Sequence, residues 1–275
     1  MRVACVQMNA DRPLDDTLAT AERLVAEAAS RGAEVVVLPE KWNGTGDAAR
    51  MLEVAEPLDG RTVGALAGWA RRHGIWLIGG SISERVEGDD RIRNTSVVLD
   101  PDGTVTAAYR KVHLFDIDLP GKSYRESDTE RPGDEAVLTT VAGWPVGLTI
   151  CYDLRFPELY RALAVAGAEL LTVPAGFTRE TGRDHWEVLL RARAIENQCY
   201  VVAPNQHGPW AGSPTYGRSL IVDPWGLVLA SAGDGEGVCV AELERERVRA
   251  VRAAIPSLAN RQPGAYGVPA AASVG

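Results

Sequence analysis

The stretch Gly147-Leu148-Thr149-Ile150-Cys151-Tyr152-Asp153-Leu154-Arg155-Phe156-Pro157-Glu158-Leu159 restricts the fold of this chain more than any other. Val146, Leu148 and Ile150 alternate with smaller residues, which is the period of a strand. Phe156-Pro157-Glu158 then puts a proline and an acid where the first turn of a helix takes them. Cys151 stands on the turn between the two. A thiol there is lifted out of the sheet and lies near backbone N–H groups at a helix start, whose dipoles favour the thiolate. A serine on a strand-to-helix elbow uses the same geometry. Most free cysteines are packing residues. Cys5, Cys199 and Cys239 read that way, each inside an apolar strand-like run.

The rest of the chain repeats the strand-then-helix theme. Residues 3–8 read as a buried strand. Residues 12–31 read as an amphipathic helix with Leu14, Leu18, Ala21, Leu24, Val25 and Ala28 on one stripe, closed by Gly32. An apolar strand over 33–38 runs into Pro39-Glu40-Lys41. A helix over 61–73 and a strand over 75–82 follow. Strands at 94–100 and 104–109 form a hairpin across Pro101-Asp102-Gly103. Residues 116–135 read as a long polar loop, and a loop of that length in a compact unit is functional or mobile. A second hairpin (136–141 and 144–150) leads to Cys151. Then come helices at 156–167 and 182–197, strands at 169–174, 199–204, 217–223, 227–231 and 237–242, and a helix at 244–254. The alternation predicts a mixed sheet system covered by helices, an α/β chain forming one domain over 1–275, with 256–275 as a surface or partner-facing tail.

The length of 275 residues with 45% hydrophobic content supports a large core. A net charge of −8 argues against nucleic-acid and anionic-membrane partners. No apolar run approaches the ~20 residues of a membrane span, and the N-terminus reads as a strand rather than a signal peptide. Four scattered cysteines without a C-x-x-C pair fit neither a zinc site nor a disulfide framework. The expectation is a cytoplasmic protein in a reducing compartment.

Glu40, Lys111 and Cys151 each follow an apolar strand, and the ends of neighbouring strands can converge on one pocket. The chemistry of such a trio is coherent. A thiol needs a base, a carboxylate in a partly dry pocket is drawn toward that role, and a lysine ammonium can face charge developing on a carbonyl oxygen. The backbone N–H of Tyr152 would be a second donor. Taken singly, Glu40 also reads as a loop acid and Lys111 as half of a solvated basic pair.

The flanks of these residues carry a resemblance. Val37-Leu38-Pro39-Glu40, Tyr109-Arg110-Lys111-Val112-His113-Leu114-Phe115-Asp116 and Ile150-Cys151-Tyr152-Asp153-Leu154-Arg155-Phe156-Pro157-Glu158 resemble the nitrilase, or carbon–nitrogen hydrolase, superfamily over nearly the whole chain. The resemblance implies a four-layer α-β-β-α sandwich, Glu40 as general base, Lys111 as oxyanion-side cation and Cys151 as nucleophile. A second glutamate of that family positions the site and the substrate amine, and Arg125-Glu126-Ser127 carries that role to Glu126. Asp116-Ile117-Asp118-Leu119-Pro120-Gly121-Lys122, Thr181-Gly182-Arg183-Asp184-His185-Trp186-Glu187 and Asp223-Pro224-Trp225-Gly226 resemble the amidase branch, with its omega-amidases and deaminated glutathione amidases. Relatives commonly carry a proline and a small residue where this chain has Arg183-Asp184, so a different pocket rim is expected. The implied substrate is a small carboxylate-bearing amide. No cofactor and no metal are implied, and the implied assembly is a homodimer or higher homo-oligomer. Apolar residues on helix 182–197 and in the tail fit that assembly.

Tyr152, Arg155 and Phe177 are the expected substrate-binding residues. In the related N-carbamoyl amino acid hydrolases, arginines just after the cysteine hold the substrate carboxylate; position 154 is Leu here, leaving Arg155. The competing reading ties Arg155 to Asp153 or Glu158. Other readings stay open from the residues alone. A nitrilase, a carbamoylase or an acyltransferase would use the same trio. A Cys–His hydrolase would need one of His73, His113, His185 or His207, none with an evident orienting partner. His113, Asp116 and Asp118 could bind a metal by residue type but match no ligand template. A scaffold that had lost activity should have lost one of the trio.

Overall fold

The computed structural model describes residues 1–119, 121–210 and 213–266. Its first half runs β1 (Arg2–Gln7), α1 (Leu14–Ser30), β2 (Val35–Val37), α2 (Ala48–Glu53), α3 (Arg61–His73), β3 (Trp76–Ile78), β4 (Ile82–Glu84), β5 (Arg93–Leu99), β6 (Val105–Arg110), β7 (Asp116–Leu119) and β8 (Lys122–Arg125). The second half runs β9 (Val137–Val141), β10 (Trp144–Leu148), α4 (Pro157–Val165), β11 (Leu170–Thr172), α5 (Arg179–Asn197), β12 (Tyr200–Ala203), β13 (His207–Trp210), β14 (Ser213–Tyr216), β15 (Leu220–Val222), β16 (Val228–Ser231), β17 (Gly237–Glu242) and α6 (Arg245–Ala254).

Two mixed sheets stack face to face. One has the order β17-β1-β2-β3-β5-β4 with β6 on β5, and the other the order β16-β15-β12-β11-β10-β9. Strand alternation divides the side chains. Val3, Cys5, Val35 and Val37 enter the core shared with the second sheet, whereas Ala4, Val6 and Val36 pack with Leu24 of α1 and Leu66 of α3. β2 is Val-Val-Val and buried throughout, as a parallel strand covered on both faces must be. Helices α4 and α5 contact the outer face of the second sheet through β10, β12 and β15. The layers are therefore α-β-β-α, as the resemblance implied. Cys5, Cys199 and Cys239 are buried packing residues of the large core cluster.

Several expectations need correction. The strand read over 75–82 is broken. Gly80 has φ +58, and a Cβ there would lie 2.0 Å from the Pro39 carbonyl oxygen. This close approach lets the chain after β2 cross β3, with Ser81 N–H donating to Pro39 O at 3.1 Å. The polar stretch 116–135 is not one open loop. It forms the β7–β8 hairpin and a 3-10 turn over Glu126–Asp128. A second hairpin, β13–β14, sits between the strands expected at 199–204 and 217–223, where no element was read. Both hairpins pair outside the two main sheets. They therefore bury no continuous apolar face, and the Asp-Ile-Asp-Leu alternation of β7 spans only four residues, none of them fully buried. The short α2 was also not foreseen. Asp47 caps it, accepting from Arg50 N–H at 2.9 Å. Of the expected tail, 256–266 is largely exposed, and 267–275 lies outside the described residues. No described helix is long and apolar enough to cross a membrane.

Candidate active site

Glu40, Lys111, Cys151 and Glu126 line one cleft of about 400 Å³, together with Tyr152, Arg155 and Phe177. Glu40 follows β2 and is 1% exposed. Its Oε1 accepts from Lys111 Nζ at 3.0 Å and from Asn94 Nδ2 at 2.8 Å, and its Oε2 accepts from Gly176 N–H at 2.8 Å. A Cβ at Gly176 would lie 1.5 Å from the Trp210 ring, so any larger residue there would have to displace that ring. The carboxylate is thus fixed from both sheets at once, and its charge also reaches the Cys151 thiol.

Lys111 follows β6, and its ammonium bridges two carboxylates, Glu40 and Glu126 Oε2 at 2.8 Å. Burial works against this ammonium, but Glu126 and Glu40 outweigh it and hold the lysine well above its ordinary pKa. Glu126 also takes Phe115 N–H at 2.7 Å and, on Oε1, Lys41 Nζ at 3.0 Å. Burial alone would raise its pKa; the two lysines and these hydrogen bonds bring it down to about 2.

Cys151 opens a 3-10 turn over Cys151–Arg155 that passes into α4. Its φ is +45, a conformation that costs a non-glycine residue energy and persists only where its surroundings enforce it. Three contacts enforce it here. Cys151 N–H donates to Pro174 O at 2.9 Å. Asp153, fully buried, accepts Ile150 N–H at 2.8 Å and Tyr109 OH at 2.7 Å on Oδ2, and His113 Nδ1 at 2.8 Å on Oδ1. Arg193 of α5 forks onto the Leu154 carbonyl at 3.0 and 2.7 Å. Asp153 therefore ties the end of β6, which carries Lys111, to the turn that carries Cys151. The Tyr152 N–H, at the start of the turn, has no acceptor among the described residues.

One expectation is overturned. The helix start does not set the thiol's state. Burial first, and then the charge of Glu40, push Cys151 well above the ordinary thiol pKa. The resting group is a thiol beside a fixed carboxylate, and its chemistry requires proton transfer rather than a standing thiolate.

Arg155 is tied neither to Asp153, whose oxygens are taken, nor to Glu158. Its guanidinium lies 5.2 Å from the Phe177 ring centroid and 5.9 Å from that of Tyr152, with a 3.3 Å contact to His185 Nδ1. His113 does have an orienting carboxylate, contrary to expectation, but its ring stacks on Phe156 at 3.6 Å and does not line the cleft. His113, Asp116 and Asp118 are engaged separately, with Asp153, Ser127 N–H and Arg125. Sequence reasoning missed Asn94, Gly176 and Glu130, which carry no local signal, and Lys41, whose place beside Glu40 was the only hint.

The arrangement can bring a thiol, a carboxylate and an ammonium to one carbonyl group. The carbon–nitrogen hydrolase profile matches residues 2–253.

The chain belongs to the carbon–nitrogen hydrolase family.

This carbon–nitrogen hydrolase is 42% identical over 263 residues to a deaminated glutathione amidase of Synechocystis, covering 94% of this chain and 97% of the relative. It is 39% identical over 269 residues to the omega-amidase NIT2 of Homo sapiens, covering 97% of each. The NitFhit protein of C. elegans superimposes with a TM-score of 0.91 at 37% identity, over 96% of this chain and 66% of that one. An amidase from Nesterenkonia, with a glutamate replaced by glutamine, aligns with a TM-score of 0.77 at 29% identity, over 96% and 95% of the two chains. That structure shows the acetamide moiety of fluoroacetamide added covalently to its active-site cysteine. The carbon–nitrogen hydrolase described here is accordingly an amidase-type enzyme with the nitrilase sandwich.

Proposed function

We propose that this enzyme, one hydrolase domain over 1–275, cleaves a small carboxylate-bearing amide through a thioester on Cys151, in the manner of a deaminated glutathione amidase or omega-amidase. Glu40 takes the thiol proton as Sγ attacks the carbonyl carbon. Lys111 Nζ and the Tyr152 N–H face the charge that develops on the oxygen. The tetrahedral adduct expels ammonia or an amine, which leaves with the proton from Glu40. Water then attacks the thioester, Glu40 takes its proton, and the acid departs as Sγ is reprotonated. Glu126 holds Lys111 in register. The observation that carries the reading is the double anchoring of the Glu40 carboxylate, by Lys111 and by Gly176 N–H, beside the Cys151 thiol. The test is a panel of α-ketoglutaramate, succinamate, deaminated glutathione, an N-carbamoyl amino acid and a nitrile, read as ammonia or as product mass. Turnover of an acidic amide is expected; turnover of the nitrile or carbamoyl compound alone would overturn the reading.

Arg155 supplies the selectivity. Its position over the Phe177 and Tyr152 rings leaves a planar cation at the cleft wall, suited to a bidentate carboxylate. A hydrogen bond to a charged group contributes roughly 1.5–3 kcal/mol, or about 10- to 150-fold. Arg155→Met should lower kcat/KM for succinamate by that factor and leave a neutral amide of equal length nearly unaffected. Equal losses for both, with a lowered Tm, would show a purely structural role.

The enzyme is a homodimer in this reading. Val188 and Ile195 of α5 are 66% and 51% exposed, and Trp225 and Leu227 of the β15–β16 turn are 47% and 53% exposed. Arg191 Nε donates to Gly226 O at 2.8 Å, so the two elements adjoin and present one apolar patch. Light scattering at micromolar concentration should give twice the chain mass, and Val188→Glu with Ile195→Glu should halve it. An active wild-type monomer would refute the dimer. The four free cysteines suit a reducing, cytoplasmic setting.

A further inference from the structure

We infer that Lys41 and Glu130 are positioning residues for the amide hydrolysis: their buried ion pair holds Glu126, and through Glu126 the Lys111 ammonium, in its working place. This rests on the activity proposed above and goes further into the same site.

Consecutive residues of an extended chain point to opposite sides, so Glu40 and Lys41 should not share a pocket. Lys41 has φ +47. This bend, held by Lys41 N–H donating to Ser81 Oγ at 3.0 Å, brings both side chains into one cleft. Non-glycine backbone strain thus occurs at Lys41 as well as at Cys151. Lys41 and Glu130 are each 1% exposed. Lys41 Nζ donates to Glu126 Oε1 at 3.0 Å and makes a short ion pair with Glu130 Oε1. Each oxygen of Glu126 therefore has its own lysine, Lys41 on Oε1 and Lys111 on Oε2. Glu130 N–H donates to Glu126 O at 2.8 Å, which puts the two carboxylates on one side of the turn.

The titratable groups facing Glu126 and Glu130 are Lys41 and Lys111 together with each other, and Glu40 bears on Lys41 in turn. With every group charged, three carboxylates meet two ammoniums. Burial and Glu126 lift Glu130 to about 7, against the pull of Lys41, and its Oε2 is buried with no partner. Glu130 can therefore take up a proton near neutral pH, while Glu126 stays ionised between its two lysines. Without Lys41, the Glu126 carboxylate keeps one cation and faces the carboxyl of Glu130. Its Oε1 is then unheld, so the carboxylate can pivot about the Oε2 that Phe115 N–H and Lys111 Nζ still hold, and Lys111 shifts with it.

The test compares Lys41→Met, Lys41→Arg and Lys41→Met/Glu130→Met with wild type. The substrate is succinamate, or α-ketoglutaramate if that is turned over faster. The double variant guards against misfolding, since replacing a buried ion pair by apolar residues is commonly tolerated. Lys41→Met should lose about 10²-fold in kcat, the scale of a small misplacement of reacting groups, with little change in KM. Its acid limb should move up by about 1–3 pH units. A folded-state pKa depressed by opposite charges rises toward its ordinary value when one of those charges is removed, so activity is lost at higher pH as pH falls. Lys41→Arg should recover most of the kcat. The double variant should keep its Tm and still show the loss and the shifted limb. Wild-type kcat and pH profile in the double variant would overturn the inference while leaving the amidase reading intact. Absence of all amide turnover in the wild type would overturn both.

Discussion

Cys151→Ala should abolish amide turnover and leave the fold intact. The alanine keeps the Cβ, so the turn loses only the sulfur. The contacts that hold the left-handed residue in place come from the Cys151 N–H to Pro174, from Asp153 and from Arg193. None of these uses the thiol. Where a nucleophile and its base act as a unit, removing the nucleophile costs about 10⁶ in kcat. The resting thiol is held protonated by burial and by the charge of Glu40. The step that fails is therefore the coupled one, in which Sγ forms a bond to carbon as its proton passes to Glu40. Acid-quenched wild-type enzyme incubated with substrate should carry the acyl mass on the peptide that contains Cys151. The alanine variant should carry none, with an unchanged melting curve. Full activity in Cys151→Ala would sink the mechanism.

Lys111→Met should lower kcat by about 10²–10³, the scale seen when an oxyanion-side donor is removed, and Glu40→Gln, which removes the base, by about 10²–10⁴. Combining them should add little. The shared geometry is the reason. Lys111 Nζ touches Glu40 Oε1 and Glu126 Oε2 at 3.0 and 2.8 Å, so loss of either group releases the other. A glutamine at position 40 turns an N–H toward either the Lys111 ammonium or the Gly176 N–H, so it cannot keep both contacts. Stability should separate the two variants. Lys111→Met leaves two buried carboxylates short of a cation, and breaking a buried pair by removing one partner costs roughly 3–5 kcal/mol. Its Tm should fall more than that of Glu40→Gln. Additive losses in kcat would mean that the two residues do not serve one step.

Much of the site was legible from residue order. Glu40, Lys111 and Cys151 each end an apolar strand, and open α/β sheets gather their strand ends. The proline and acid at Pro157-Glu158 marked the elbow, and Gly32, read as closing the first helix, has a left-handed backbone with φ +80. These features depend on backbone chemistry over a few residues, which local sequence encodes. The β7–β8 and β13–β14 hairpins were not legible. Their side chains alternate between exposed and half-buried positions, or are largely half-buried, and meet no common core.

What sequence alone determined is the list of reactive groups and the strands that deliver them. What only tertiary structure decided is their chemical state. The helix-start position was expected to favour the Cys151 thiolate, and burial together with Glu40 outweighs that, pushing the thiol well above its ordinary pKa. The Gly176 N–H that fixes Glu40 is 136 residues away along the chain. Asp153 joins Tyr109 and His113 across 44 and 40 residues. Lys41 shares a cleft with Glu40 only because its φ is +47. Protonation and orientation depend on burial and on charges within a few ångströms. Such neighbours come from segments that nothing in the local pattern links, so packing rather than periodicity sets them.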